Sequence, residues 1–363
     1  MSPTKRDLVR LTEKVTSPVE SLTMPSTLYS ATAPSITKES VEGDANYVAP
    51  TFPIGPFVKH ASNPILTPNP KYDFESSYLY NAAAIVLDGR VFLLYRAQNE
   101  AKVSTIGLAW SDDGIHFTRL DHPVLTPTEV YEEGGGVEDP RVVRIDGVVY
   151  MTYTAYDTEN ARLCLATSTD LVHWKKFPPL WPDWDEVEVQ TSGRHAIRRG
   201  FTKAASIFPV ADSRGKYNML WGESFVYRAE STDLVNWKTR PFEDWFATGV
   251  HLWENRLLEP GPSPVQTKDG KWILIYNSAT TGGDRFRNNQ YSIGQMLIDY
   301  ENMDQGPLAR LEQPCLEVDQ HNEKSGQVDQ VVFCEGMVQF KGRWLLYFGQ
   351  GDSELGLATA DAV

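Results

Sequence analysis

The 363-residue chain holds only three cysteines, Cys164, Cys315 and Cys334. They lie far apart and form no CxxC pair, so no disulfide framework is expected, and a reducing compartment suits the chain. Its seven histidines form no HxH or HExxH arrangement. No metal and no cofactor is therefore expected. Positive charge is also short: 34 Lys and Arg against 48 Asp and Glu leave a formal charge of −14. Nucleic acid and anionic membranes need a positive face, so neither is an expected partner. No apolar run approaches the ~20 residues of a membrane helix. The opening stretch MSPTKRDLVRLTEKVTSPVESL lacks the apolar centre of a secretory signal. These absences lead to the expectation of a soluble, cytoplasmic protein.

Residues 1–56 are rich in Ser, Thr, Pro and Glu and read as an arm outside the core, either partly disordered or packing on the main domain or on a partner. A homo-oligomer formed through this arm is one expectation. From residue 57 to 363 the texture changes. GLAWSDDGIHFTRL (107–120) recurs as CLATSTDLVHWKKF (164–177) and YRAESTDLVNWKTR (227–240), with GLATADAV (356–363) a clipped copy. A hairpin pattern precedes each copy, as in AAIVLDGRVFLLYRA and RVVRIDGVVYMTYTAY, and there are five such patterns in all. Their DG, RGK, DGK and KG turns are hairpin signals. Repeated antiparallel units without long helices predict an all-β five-bladed β-propeller with an N-terminal extension. The competing architecture is a β-sandwich.

In a propeller, polar residues at the ends of the inner strands converge on one pocket. The hairpin ends offer Asn81 and Arg96; Asp139, Arg141 and Asp157; Lys203 and Glu223; Glu259 and Asn277; Glu335 and Asp352. Tyrosines and tryptophans stand nearby. Aromatic platforms with carboxylates suit a sugar, and inverting acetal cleavage needs two carboxyl groups about 6.5–9.5 Å apart. GGGVEDPRVV (134–143) sets Glu138 and Asp139 on a glycine hinge before a strand. This is either a solvated acidic turn or a catalytic acid at a strand mouth. Pro140 keeps a helix from crossing it.

The stretches YNAAAIVLDGRVFLLYRA, GGGVEDPRVV, YMTYTAYD, ARLCLATSTDLVHW, FTKAASIFP, MLWGES, EPGPSPV and LYFGQGDSELGLATA occur in the order and spacing of glycoside hydrolase family 130. The resemblance spans about residues 57–363. It implies a five-bladed propeller acting on β-mannosides by inversion, with Asp139 as general acid. It also implies that the family's phosphorylases and hydrolases part at the attacking group. Phosphorylases resemble WDS…GAGPPP…YHG where this chain reads WENRLLEPGPSP…YNSA, so Glu259 replaces a glycine and Asn277 a phosphate-contacting histidine. Glu223 and Glu259 match the glutamates of the β-1,2-mannosidases, and one of them would activate water. Arg162 and Lys203 match phosphate-holding positions and pull the other way. Asn81, Arg96, Glu138, Arg141, Asp157, Arg162, Lys203, Asn277 and Asp352 are the expected substrate-binding set. The basic run RHAIRRG, with Arg194, His195, Arg198 and Arg199, reads as a solvated loop.

The expected function is an inverting glycosidase releasing mannose from β-mannosides, most readily β-1,2-linked manno-oligosaccharides. The alternatives are a β-mannoside phosphorylase forming mannose 1-phosphate and a non-catalytic glycan-binding propeller.

Overall fold

The computed structural model describes residues 28–363 apart from 185, 192 and 193, and the side chains of 190, 191, 194 and 195 also lie outside the description. The five hairpins are present. Tyr78–Leu87 pairs with Arg90–Gln98, Gly136–Ile145 with Val148–Tyr156, Ala205–Ile207 with Tyr217–Trp221, Leu257–Pro260 with Trp272–Ala279, and Val332–Phe340 with Arg343–Gln350. Each hairpin gains an antiparallel third strand: Ser104–Ser111, Ala161–Ser168, Phe225–Ser231, Tyr291–Ile298 and Glu354–Asp361. A short fourth strand follows in the first four units: Thr118–Leu120, Lys175–Lys176, Lys238–Thr239 and Ala309–Arg310. In the fifth, the fourth strand is Val58–Lys59, from the other end of the chain, paired with Ala358 and Thr359.

Local sequence explains these units. Asp88–Gly89, Asp146–Gly147 and Lys341–Gly342 all have positive φ at both positions, the two-residue turn whose twist matches that of paired strands. The repeated Ser-x-Asp segments are self-bonded turns. Asp113 Oδ1 accepts from the backbone N–H of Ile115 and His116, each at 2.8 Å, and Asp170 and Asp233 do the same for their own neighbours.

Apolar alternation on both faces of each unit fills five clusters, one between each pair of neighbours. Phe92 of the first unit shares a cluster with Val149 of the second, Leu165 with Met219, Val226 with Leu258, Ile275 with Leu346, and Leu345 of the fifth with Leu93 of the first. A cavity of about 200 Å³ touches all five inner segments, at Val86, Val142, Pro209, Pro264 and Met337.

Another repeat is hidden in the sequence. Glu75, Glu132, Glu254 and Glu323 each stand third in a one-turn helix and are wholly buried. The first three accept a tyrosine O–H from their unit's second strand, from Tyr95 at 2.8 Å, Tyr153 at 2.9 Å and Tyr276 at 2.7 Å. Each of the four also meets a cation from its unit's outermost strand: Arg119 at 2.9 Å, Lys176 at 2.5 Å, Arg310 at 3.2 Å and Lys59 at 2.6 Å. A buried carboxylate is tolerated only when it is paired and hydrogen-bonded in this way.

From residue 28 the N-terminal segment packs on the repeated units. Leu28–Ser30 pairs in parallel with Thr118–Leu120, and Ile36 and Ile54 are core residues. The backbone of Val48 and the amide of Gln339 exchange hydrogen bonds at 2.6 and 2.7 Å. A few apolar residues in a polar stretch were enough to seat it. Residues 1–27 lie outside the described residues.

Candidate active site

Three inner strands break register at a site residue: between Tyr80 and Ala82, between Glu138 and Arg141, and between Cys334 and Gly336. Such a bulge leaves a residue unpaired and re-aims its side chain. It frees Asn81, Asp139 and Glu335. Asn81 (φ 46°) and Asp139 (φ 52°) take the left-handed conformation, which Asn and Asp tolerate better than other side chains. The glycine run before Asp139 has a packing cause. A Cβ on Gly136 would stand 2.2 Å from the Ser104 carbonyl oxygen, so only glycine lets the second unit's inner strand meet the first unit here.

One pole of the site forms around Arg96. It donates to Asp139 Oδ1 at 2.9 Å and Glu138 Oε1 at 2.5 Å, while its Nε donates to Ser104 Oγ at 3.0 Å. The Asn81 amide donates to the same Asp139 oxygen at 3.0 Å. Burial opposes ionisation of Asp139, but Arg96, Lys203 and the Asn81 hydrogen bond outweigh it and hold its carboxyl at about 2. Burial pushes Glu138 upward, with Arg96 offsetting part of the effect. Burial also lifts Asp352 to about 7, against the pull of Arg96 and with a push from Asp139. The carboxyls of Asp139 and Asp352 are thus pushed in opposite directions.

The other pole forms around Lys203. Its ammonium lies 3.8 Å from Glu223 and 3.9 Å from Glu259. Burial lowers the affinity of Lys203 for its proton, but Glu259, Glu223 and Asp139 more than restore it. Glu223 projects from the turn after Tyr217–Trp221, where a Cβ on Gly222 would stand 2.2 Å from the Phe225 carbonyl oxygen. Glu259 is deeper, and burial raises it despite Lys203 and Arg141.

Arg141 joins the poles. Its Nε donates to the Pro260 carbonyl at 2.9 Å and its Nη2 to Glu259 at 3.1 Å. Nη1 donates to the Asp139 carbonyl oxygen at 3.2 Å and pairs with Glu335, also at 3.2 Å. Glu335 is wholly buried, and burial drives its carboxyl far above the usual range, with Arg141 offsetting part of this.

Of the expected residues, Asn81, Arg96, Glu138, Asp139, Arg141, Lys203, Glu223 and Glu259 form this connected network, and Asp352 faces it electrostatically. Asn277 does not present a free amide. It is fully buried, and both ends of its amide are spent on the Cys334 backbone at 2.9 and 2.7 Å. It therefore staples the fourth unit to the fifth. Asp157 caps a turn, accepting from the backbone N–H of Glu159 at 2.9 Å and Asn160 at 2.6 Å. Arg162 reaches the Trp184 carbonyl at 3.5 Å.

The basic run expected as a solvated loop is instead an antiparallel hairpin, Glu186–Thr191 with Arg194–Arg199. Its Arg198 pairs with Glu223 at 2.5 Å. The alternation EVEV…HAIRR carried that signal, but the charge run masked it. The side chains of Arg194 and His195 lie outside the description. Arg199 pairs with Glu186 across the hairpin. Ser104 and Glu335 complete the network. Glu335 stood at a hairpin end in the sequence, whereas nothing local marked Ser104.

Buried carboxylates paired with arginine and lysine at the ends of repeated β-units give this all-β chain a candidate acid–base site. Residues 52–363 match the family model described as beta-1,4-mannooligosaccharide phosphorylase, and the chain belongs to glycoside hydrolase family 130, whose members act on β-mannosides. Over 312 residues it is 34% identical to the 1,2-beta-oligomannan phosphorylase of Thermoanaerobacter sp. (strain X514), covering 83% of this chain and 96% of that protein. The beta-1,2-mannobiose phosphorylase of the same organism is 31% identical over 317 residues, with the same coverage. Among solved structures, a glycosyl hydrolase from Bacteroides ovatus superposes with TM-score 0.73 at 30% identity, covering 87% of this chain and 97% of that one. Another, described with the GH130 glycoside hydrolases that target beta-1,2 mannosidic linkages in Candida mannan, superposes with TM-score 0.73 at 31% identity over 86% and 96%. The named curated relatives favour phosphorolysis over the hydrolysis expected from the sequence.

Proposed function

We propose that the chain is a five-bladed β-propeller that hydrolyses β-1,2-linked manno-oligosaccharides with inversion. Five apolar clusters between five successive units, and one cavity touching all five inner segments, support the propeller. The observation that carries hydrolysis is the Lys203 ammonium already flanked by two carboxylates, Glu223 and Glu259. A phosphate dianion placed there would meet two anions, and the cations beside them, Lys203 and Arg198, are already paired with those carboxylates, whereas water meets a base.

In this reading Glu223, 9% exposed against 2% for Glu259, accepts the proton of the attacking water. Glu259 and Arg141 hold Lys203 and the backbone of Asp139 in register. Asp139 supplies the proton to the leaving oxygen. Because Arg96 and Asn81 keep it ionised in the free site, it must take up that proton before or as the sugar seats. Asn81, Arg96, Glu138 and Asp352 line the cleaved-sugar side.

Phosphorolysis is the second reading. It is favoured by the curated relatives and by the cations Arg198 and Lys203 on the attacking side. One experiment separates the two. β-1,2-Mannobiose is incubated with and without inorganic phosphate, and products are resolved by anion-exchange chromatography. Phosphate-independent mannose, abolished by Asp139→Asn, is the expected result. Mannose 1-phosphate formed only with phosphate would replace hydrolysis by the second reading. Turnover unchanged by Asp139→Asn would remove that residue from the chemistry.

A further inference from the structure

We propose that Arg198 is a positioning residue for the proposed base: the hairpin Glu186–Thr191/Arg194–Arg199 exists at the site to hold one oxygen of Glu223 and aim the other at water. This rests on the hydrolytic reading above.

The hairpin leaves the sheet between the second unit's last strand, Lys175–Lys176, and the third unit's first, Ala205–Ile207. Its base is anchored on both sides. The Ala161 N–H donates to the Gly200 carbonyl at 2.9 Å, and the Thr202 N–H donates to the Ala161 carbonyl at 2.9 Å. Val187 is buried in the apolar cluster between the second and third units, and the Glu188 N–H donates to the Tyr227 hydroxyl at 3.1 Å. The Arg198 guanidinium carbon then sits over the Phe201 ring, 3.3 Å from its centroid. That contact restrains the side chain where it reaches Glu223 Oε1 at 2.5 Å.

Stability does not explain this pair. The Arg198 side chain is 43% exposed, and exposed ion pairs contribute little to folding once the ordering of a long side chain is counted. The contact does restrict Glu223. With Oε1 held, only Oε2 faces Lys203, 3.8 Å away, and its lone pairs stay available to a water. Without Arg198 the carboxylate is free to turn wholly onto Lys203, which Glu259 already shares at 3.9 Å. A base rotated onto a cation accepts protons poorly and stands at the wrong angle. The substrate's own contacts on the Arg96 side are unaffected.

The test uses the full chain and phosphate-free hydrolysis of β-1,2-mannobiose. Arg198→Ala is expected to lower kcat about 10-fold or more with KM nearly unchanged, since it removes orientation from a base whose whole contribution is about 10²–10⁴-fold. Arg198→Lys should recover part of the rate. Added guanidinium should restore Arg198→Ala several-fold without changing the wild type, because the site is open to solvent. An unaltered melting temperature confirms that the exposed substitution leaves the fold intact. If Arg198→Ala keeps kcat, or raises only KM, while Glu223→Gln collapses turnover, the positioning role is overturned and hydrolysis stands. If Glu223→Gln also keeps its rate, Glu223 is not the base and the positioning role falls with it; if the wild type releases no mannose without phosphate, the hydrolytic reading itself falls.

Discussion

The Arg141 guanidinium donates to the main-chain carbonyl of Asp139 at 3.2 Å, and its Nη2 holds the Glu259 carboxylate at 3.1 Å. The candidate acid and the cation-holding glutamate of the opposite pole therefore hang on one planar group. The same group also pairs with Glu335 and donates to the Pro260 carbonyl, and the Arg141 side chain is almost wholly buried. Lysine offers no fork to replace it. Arg141→Lys should cost about 3–5 kcal/mol of stability by stranding buried carboxylates. Displacing Asp139 by about 1 Å should lower kcat about 100-fold in the folded fraction. Chemical denaturation and steady-state kinetics on the same preparation separate the two effects.

Glu223 and Glu259 differ in depth and partners, and they should differ in consequence. Glu223→Gln is expected to lower kcat by about 10²–10⁴ with little change in KM, the signature of a lost base. Glu259→Gln, which acts through Lys203 and Arg141, should lower it by about 10-fold. The reverse order would exchange their roles. Wild-type rates in both would end the assignment.

Asp352 gives a pH dependence with a definite sign. Its folded-state value of about 7 stands above the ordinary carboxylate value, so the folded protein keeps a proton that the unfolded chain gives up near 4. Its contribution to stability is complete below about 4 and disappears as pH rises through about 7. Asp352→Asn cannot lose that proton. Melting temperatures from pH 5 to 8.5 should fall more steeply for the wild type than for the variant, with the curves diverging toward the alkaline end. Parallel curves would show that Asp352 is not the group responsible.

Much of this molecule was legible in its residues. The DG and KG turns and the Ser-x-Asp segments act through backbone bonds within a few positions, so sequence alone located all five hairpins. Asp139, Arg96, Lys203, Glu223 and Glu259 could be chosen because hairpin ends converge when units repeat. The partners of Asn277 and Asp157 are backbone groups, those of Cys334 across a unit boundary and those of Asp157's own turn. No side-chain pattern announces such partners. Arg198 was hidden because a run of like charge looks the same in a solvated loop and in a hairpin whose pair lies 25 residues away. The four buried glutamates were missed for a similar reason, since their tyrosines and cations sit on separate strands.

Those glutamates supply a stability test remote from the chemistry. Lys59 meets Glu323 at 2.6 Å, and Glu323 has no exposed surface. Lys59→Met should strand that carboxylate and cost about 3 kcal/mol, read as a lower denaturation midpoint. Adding Glu323→Gln should return part of the loss. The kcat of the remaining folded enzyme should match the wild type. A single variant as stable as the wild type would show that the clamp carries no load.

Val58 and Lys59 pair with Thr359 and Ala358, and so join positions separated by nearly the whole polypeptide. During synthesis the earlier partner waits, uncovered, while some three hundred amino acids are added. Four units can assemble first, but the candidate site lacks Glu335 and Asp352 until the fifth is added. Activity should therefore appear all at once, only when that fifth unit has joined the others.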